Sequence, residues 1–121
     1  MQTYNVKGDE IPAGIERTST AVIVRSGVSP FSETQEDGTV VQGYQWTETR
    51  LTPAEASLAE AGKVADTPVT RRLYLLARLA DTDYVAAKLA EAEGEELAQL
   101  RQEYAAVIAQ RKQWRAEINS L

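Results

Sequence analysis

Cysteine and histidine are both missing from the 121 residues, and these two gaps remove most familiar site chemistry. Without thiols there are no disulfides, thiolate nucleophiles or zinc–thiolate centres. Without imidazole the chain lacks the usual general base near neutral pH and the commonest transition-metal ligand, so catalysis would fall to carboxylates, lysine or tyrosine. No apolar run approaches the roughly 18 residues that a bilayer crossing needs. MQTYNVKGDE has neither a basic leader nor an apolar signal core, so the expected location is the cytoplasm. Base is also in short supply: 13 Lys and Arg stand against 18 Asp and Glu, a net charge of −5. Such a chain repels a phosphate backbone, and no local Lys/Arg run is dense enough to reverse that. Nucleic acid and membrane are therefore not expected partners.

What is present divides into two styles of patterning. Residues 1–68 carry ten acids and five bases, whereas residues 69–121 carry eight of each. By length the chain is one domain, with a β-rich part over 1–50 and a helical part over 51–121. QTYNV alternates Tyr4 and Val6 with polar neighbours before a Lys7-Gly8-Asp9-Glu10 turn, and Ile11-Pro12 ends that element. STAVIVR, residues 19–25, is rich in β-branched side chains, with Val22 and Val24 on one face and Ile23 on the other. SGVSPFSETQEDG reads as an exposed loop whose sharpest turn is Asp37-Gly38. TVVQGYQWTETRL then alternates again, with Tyr44 and Trp46 on the side expected to be covered. An antiparallel sheet or hairpin follows, its edges exposed.

The second half opens with Thr52-Pro53-Ala54-Glu55: an N-cap threonine, proline at the first helical position and glutamate at the third, the capping-box arrangement. That helix is expected to stop near Gly62, and Thr67-Pro68 starts another. Its buried stripe is expected to be Val69, Leu73, Leu76 and Ala80. Asp81-Thr82-Asp83 caps a further segment, either a new helix or a kinked continuation. Gly94 breaks the run, and Glu95-Glu96 place negative charge at the start of a last helix, where its dipole favours it. Leu97, Leu100, Tyr104, Val107, Arg111, Trp114, Ile118 and Leu121 form a three-four seam along it, a coiled-coil-like face. The fold class is α+β: a small N-terminal antiparallel sheet followed by a C-terminal helical hairpin.

Arg111 sits in the middle of that seam. If Gly94 is the hairpin turn and both helices rise equally per residue, Arg111 faces Ala77, with its guanidinium reaching towards Asp81 or over Trp114. Trp114 is then expected to meet Leu73 and Tyr74. A charge in a seam penalises shifted registers, so its replacement by leucine is expected to raise stability while loosening register.

The candidate functional residues are contact residues. Phe31, isolated in its polar stretch, with Tyr44, Trp46, Tyr104, Arg111 and Trp114, are the partner-binding candidates, since aromatic side chains and arginine dominate binding hot spots. Arg71, Arg72 and Arg78 form a cationic flank that reads as a solvated face. Asp81 and Asp83 supply too few oxygens for a hard cation, and capping is the better account of them. No G-x-S-x-G elbow, P-loop or dinucleotide fingerprint occurs. No catalytic residue, metal or cofactor is therefore expected. A hydrolase using Asp81, Asp83, Glu95 and Glu96 is the remote alternative, and it needs them to converge in a cleft.

LADTDYVAAKLAEAEG followed by YAAVIAQRKQWRAEINSL resembles the C-terminal segment of small phage and prophage proteins of the tail-fibre region. The matching positions are Leu79, Thr82, Asp83, Tyr84, Lys88, Tyr104, Ile108, Arg111, Arg115, Ile118 and Leu121. YNVKGDEIP and GYQWTETRLTPAEASL are similar in style to XkdW-like tail-region proteins and to tail-fibre assembly chaperones. The resemblance implies a non-enzymatic assembly or accessory role in the host cytoplasm. Its expected partner is a tail or tail-fibre protein, with a homo-oligomer formed through the last helix as a further expectation. A structural subunit retained in the virion is the alternative, and the motif looks the same in both.

Overall fold

Alternation in the first half does produce strands. In the computed structural model, which describes all 121 residues, β1 (Gln2–Gly8), β2 (Ile15–Arg17), β3 (Val22–Thr34) and β4 (Val40–Leu51) make one antiparallel sheet in the order β1-β4-β3-β2. Five helices follow: α1 (Pro53–Glu60), α2 (Pro68–Asp81), α3 (Asp83–Glu91), α4 (Gly94–Glu103) and α5 (Ala105–Ser120). The α+β class is as the patterning implies. The chain divides into two compact units, Met1–Ser57 and Leu58–Leu121.

In the first unit the polar stretch expected to be a loop is largely strand, since β3 runs on to Thr34. A bulge explains why the alternation hides it. Ser26 pairs with Thr47 and Ser29 with Gln45, so Gly27 and Val28 together stand opposite Trp46, with Gly27 at φ 65°. One extra residue shifts every later side chain to the opposite face, and main-chain pairing carries the strand onward with Phe31 as its one large apolar side chain beyond the bulge. The turn lies where Asp37-Gly38 places it: Gly38 has φ 83°, and the Asp37 carboxylate accepts the Thr39 N–H at 2.9 Å.

Register puts Val22, Val24, Thr49 and Leu51 on one face, all buried. The other face holds buried Ile23 and Glu48, while Tyr44 and Trp46, the side expected to be covered, are only half-buried. Complete burial of a residue such as Val24 or Leu51 contributes about 2 kcal/mol each. The polar Thr49 sits among them with its hydroxyl 3.4 Å from that of Thr3 on β1.

Both threonine-proline starts work as read. Thr52 N–H donates to the Glu55 carboxylate at 2.9 Å while the Thr52 hydroxyl accepts the Glu55 N–H at 3.2 Å, a complete capping box for α1. Thr67 caps α2 in the same way, with Thr70 replacing glutamate as the reciprocal partner. Gly62, at φ 71°, ends α1 with its own N–H on Ala59 and the Lys63 N–H on Leu58, a Schellman closure.

The second unit holds a helical hairpin that turns at Gly94 (φ 60°), with α2 packing on α5 and α3 on α4. Arg71 and Glu117, equally far from Gly94, meet in a two-pronged ion pair at 2.6 and 3.1 Å. The equal-rise register is therefore right at the open end. The buried residues of α2 are Thr70, Leu73 and Leu75. Of the expected stripe only Leu73 is buried: Val69 and Leu76 are half-buried and Ala80 is exposed. Leu75, about 200° around the helix from Leu73, is buried, so burial is not confined to one stripe.

Neither long helix is continuous. Thr82 (φ −111°, ψ 7°) separates α2 from α3, and its hydroxyl donates back to the Arg78 and Leu79 carbonyls at 3.0 and 3.2 Å, a competition that bends helices. The last helix, expected as one rod, is interrupted at Tyr104 (φ −101°, ψ 18°). There the hydrogen bonds from Tyr104 to Leu100 and from Ile108 to Tyr104 still run through, both at 2.9 Å. Of the seam positions, Leu97, Leu100, Tyr104, Val107, Arg111, Trp114 and Ile118 are half-buried, whereas Leu121, its last expected member, is exposed.

Candidate functional site

The carboxylates that a hydrolase would need are not gathered. Asp83 is held by Arg111 at 3.1 Å and Asp81 by Arg78 at 3.1 Å, while Glu95 and Glu96 are exposed in the first turn of α4. No group of three or more carboxylates is arranged to hold a metal ion. The acid that stands out is one that composition alone does not single out. Glu48 lies opposite Arg25 across the β3–β4 ladder, with 6% of its side chain exposed. Arg25 Nε donates to Glu48 Oε1 at 2.7 Å, the Trp46 indole N–H to the same oxygen at 3.2 Å, and Arg50 to Oε2 at 3.5 Å. The hydrogen bond from Arg25 leads in holding the Glu48 carboxyl below its usual range against the opposing effect of burial. Held ionised and supplied with three donors, Glu48 is poorly placed as a proton carrier and well placed as a cross-strand tie. Its clue in the sequence is a Trp-x-Glu-x-Arg run, but the partner on β3 becomes visible only once the register is known.

Trp46 and Phe31, read from the sequence as anchors for a partner, each cover a glycine. A Cβ on Gly8 would lie 2.7 Å from the edge of the Trp46 six-membered ring, so the indole reaches into space that β1 leaves free of a side chain. A Cβ on Gly43 would lie 3.1 Å from the Phe31 ring and 2.6 Å from the Gly8 carbonyl. Phe31 is thus a strand residue directly opposite Gly43, with the Lys7 ammonium 4.9 Å from its ring centre, and not an isolated loop side chain. Tyr44 is half-buried on the face it shares with Trp46, opposite to that of Phe31, and pairs with Gly8 on β1 and Pro30 on β3.

Beyond Tyr44 the β3–β4 hairpin outruns both neighbours. β1 stops at Gly8, opposite Tyr44, and β2 reaches only Val24. Residues 31–43 therefore form a two-stranded arm in which Val40 and Val41 are 53% and 39% exposed. Such an arm has unpaired main-chain groups on its outer edges, the usual template for an added strand.

In the second unit Arg111 is not at the rim. Its side chain is 11% exposed, and its guanidinium donates to the Leu79 carbonyl at 2.7 Å, the Thr82 hydroxyl at 2.6 Å and Asp83 at 3.1 Å. The expected partner Asp81 is replaced by Asp83, and the guanidinium passes beyond Ala77 to the end of α2. At the break the Leu79 carbonyl, which also accepts the Thr82 N–H at 3.1 Å, faces the guanidinium as a further acceptor, and a helix C-terminus attracts a cation. Tyr104 joins a second cluster. Lys88 Nζ donates to its hydroxyl at 3.1 Å and stands 5.5 and 5.8 Å from the Tyr104 and Tyr84 rings, which meet edge to face at 6.3 Å. Sequence spacing links Tyr84 to Lys88 but gives no sign that the kink at Tyr104 completes the group. Trp114 is half-buried on the seam. In the cationic flank Arg71 is occupied by Glu117, and Arg78 by Asp81 and the Tyr74 ring.

No family model, curated protein or solved structure matches this chain. No helix is long and apolar enough to cross a membrane.

Proposed function

We propose that this is a non-enzymatic protein of a tailed phage or prophage that works in tail or tail-fibre assembly through protein contacts. The observation that carries the reading is the arm at residues 31–43, which extends past β1 and β2 with apolar side chains and main-chain edges in solvent. The ionisable groups that would serve catalysis are instead spent on internal ties, as Glu48 with Arg25 and Asp83 with Arg111 illustrate. Contact surface is what the fold leaves over. The partner in this reading is a β-rich tail or tail-fibre protein, met in the host cytoplasm during assembly.

Retention in the virion as a structural subunit is the second reading, and one observation favours it. Neither α4 nor α5 has a fully buried residue, so their seam keeps apolar surface for a second copy of the chain. Inducing a prophage that encodes the protein and following it through particle purification separates the two. An assembly factor stays with the soluble pool and co-purifies with tail or fibre subunits, whereas a virion subunit stays with the finished particle. Absence from both, with turnover of a glycosidic or peptide substrate by the purified chain, overturns the contact reading.

A further inference from the structure

We propose that the open β4 edge at Val40–Gly43 takes up an extended, lysine- or arginine-bearing segment of a partner protein as an added strand in line with β1. The inference rests on the contact reading above and names what the arm binds.

The two edges of the arm differ, and main-chain geometry selects one of them. Gln35 N–H donates to the Thr39 carbonyl at 2.7 Å, which fixes the phase of the ladder at the turn. Alternation then directs the main chain of Ser29, Phe31 and Glu33 to β4, and that of Pro30, Ser32 and Thr34 to the outside. Pro30 has no N–H, so the β3 edge is blunted where it would meet an incoming strand. On β4 the same phase turns the N–H and C=O of Val40 and Gln42 away from β3. They point to the side that β1 occupies as far as Gly8 and then vacates. A strand placed there continues the line of β1 and forms the antiparallel or parallel pairing that β-strand addition uses.

Charge selects the occupant. Asp9 and Glu10 follow the end of β1 directly, and Glu33, Glu36 and Asp37 lie on the arm and its tip. The one base close by, Lys7, is engaged with Glu33 at 3.8 Å. The vacant position is thus bracketed by acids at both ends. A second copy of the arm would bring the same acids against themselves, which disfavours self-pairing, whereas alternating Lys or Arg side chains are complementary.

The test uses the full chain and three synthetic peptides: an alternating Lys/Val strand, its Glu/Val counterpart, and the Lys/Val strand N-methylated at every second residue. Binding is read by fluorescence anisotropy and by amide exchange at Val40 and Gln42. The Lys/Val peptide is expected to bind, to slow exchange at those two amides and to weaken as salt rises. N-methylation is expected to cost at least about tenfold in affinity, the loss of one or two main-chain hydrogen bonds. Gln42→Pro, which removes an outward N–H, is expected to weaken binding similarly. Equal binding of the Glu/Val peptide, no effect of N-methylation, or protection of Val40 and Gln42 that grows with protein concentration alone overturns the inference. The last outcome assigns the edge to a second copy. Co-purification with tail components while the edge stays unprotected overturns this inference and leaves the contact reading intact.

Discussion

Arg25 in the sheet and Arg111 in the helical hairpin are equally withdrawn from water, each with 11% of its side chain exposed, yet they are held in different ways. Arg25 faces a carboxylate that is itself buried, Glu48 at 6% exposure. Arg111 faces one that is 69% exposed and donates its shorter hydrogen bonds to a carbonyl and a hydroxyl at a helix end. The first arrangement centres on a buried counter-charge, with the Ala13 carbonyl at 3.2 Å and exposed Glu16 at 3.5 Å as longer-range partners of Arg25, so removing Glu48 takes away its closest and only buried acid. The second shares a cation among neutral acceptors and a solvated acid, so no single partner is decisive.

That contrast is sharpest when Glu48 is replaced. Glu48→Ala leaves Arg25 buried without its main counter-charge and is expected to cost about 3–5 kcal/mol. Arg25→Met combined with Glu48→Leu is expected to recover most of that loss, as apolar replacement of buried pairs commonly does. Urea unfolding of the single and double variants is the measurement, and a single variant as stable as the parent would remove the distinction between the two arginines. Leu73→Ala, at a position 1% exposed in the hairpin, is expected to cost about 3 kcal/mol through lost burial and the cavity left behind. If it costs under about 1 kcal/mol, the helical unit is less firmly packed than its burial implies.

Acid gives a smaller test of the tie in the sheet. The Glu48 carboxyl is lowered from an ordinary value of 4.5, chiefly by the hydrogen bond from Arg25. Its contribution to stability is therefore complete above that value and is lost as pH falls through the lower folded one. Thermal melts below about pH 4.5 are expected to fall less steeply in Glu48→Gln than in the parent. Arg111→Leu is expected to destabilise by about 1–2 kcal/mol, because it deletes charge-assisted hydrogen bonds to Leu79 and Thr82. This reverses the sign expected for a charge that merely lies in a seam, and a rise in melting temperature would restore the seam account. Asp83→Asn has the smallest expected effect, under about 1 kcal/mol, since its carboxylate is exposed and screened.

Which features could be read in advance follows the same division between local and distant causes. The capping boxes at Thr52 and Thr67 and the closure at Gly62 involve atoms a few residues apart, and each was legible from residue order. The seam from Leu97 to Ile118 was legible because helical period is also local. The length of β3 was not, since the Gly27–Val28 bulge reverses the alternation that a strand reading follows. Phe31 reads as free because its neighbours in the chain are polar, whereas its ring lies over a glycine on the next strand. Glu48 went unnoticed because nothing beside it in the chain reveals the arginine across the ladder.

The sequence by itself determined where α1 and α2 begin and where α1 ends, which turns reverse the chain at Asp37-Gly38 and Gly94, and that cysteine and histidine chemistry is excluded. Backbone capping, glycine conformation and side-chain identity act over a few bonds and need no partner. Tertiary structure alone decided that Arg25 meets Glu48, that Arg111 closes the end of α2, and that β4 is left open beyond Gly8. Those outcomes depend on strand register and on the facing of two helices, which join residues far apart in the chain. No local spacing encodes such pairings until the chain has folded.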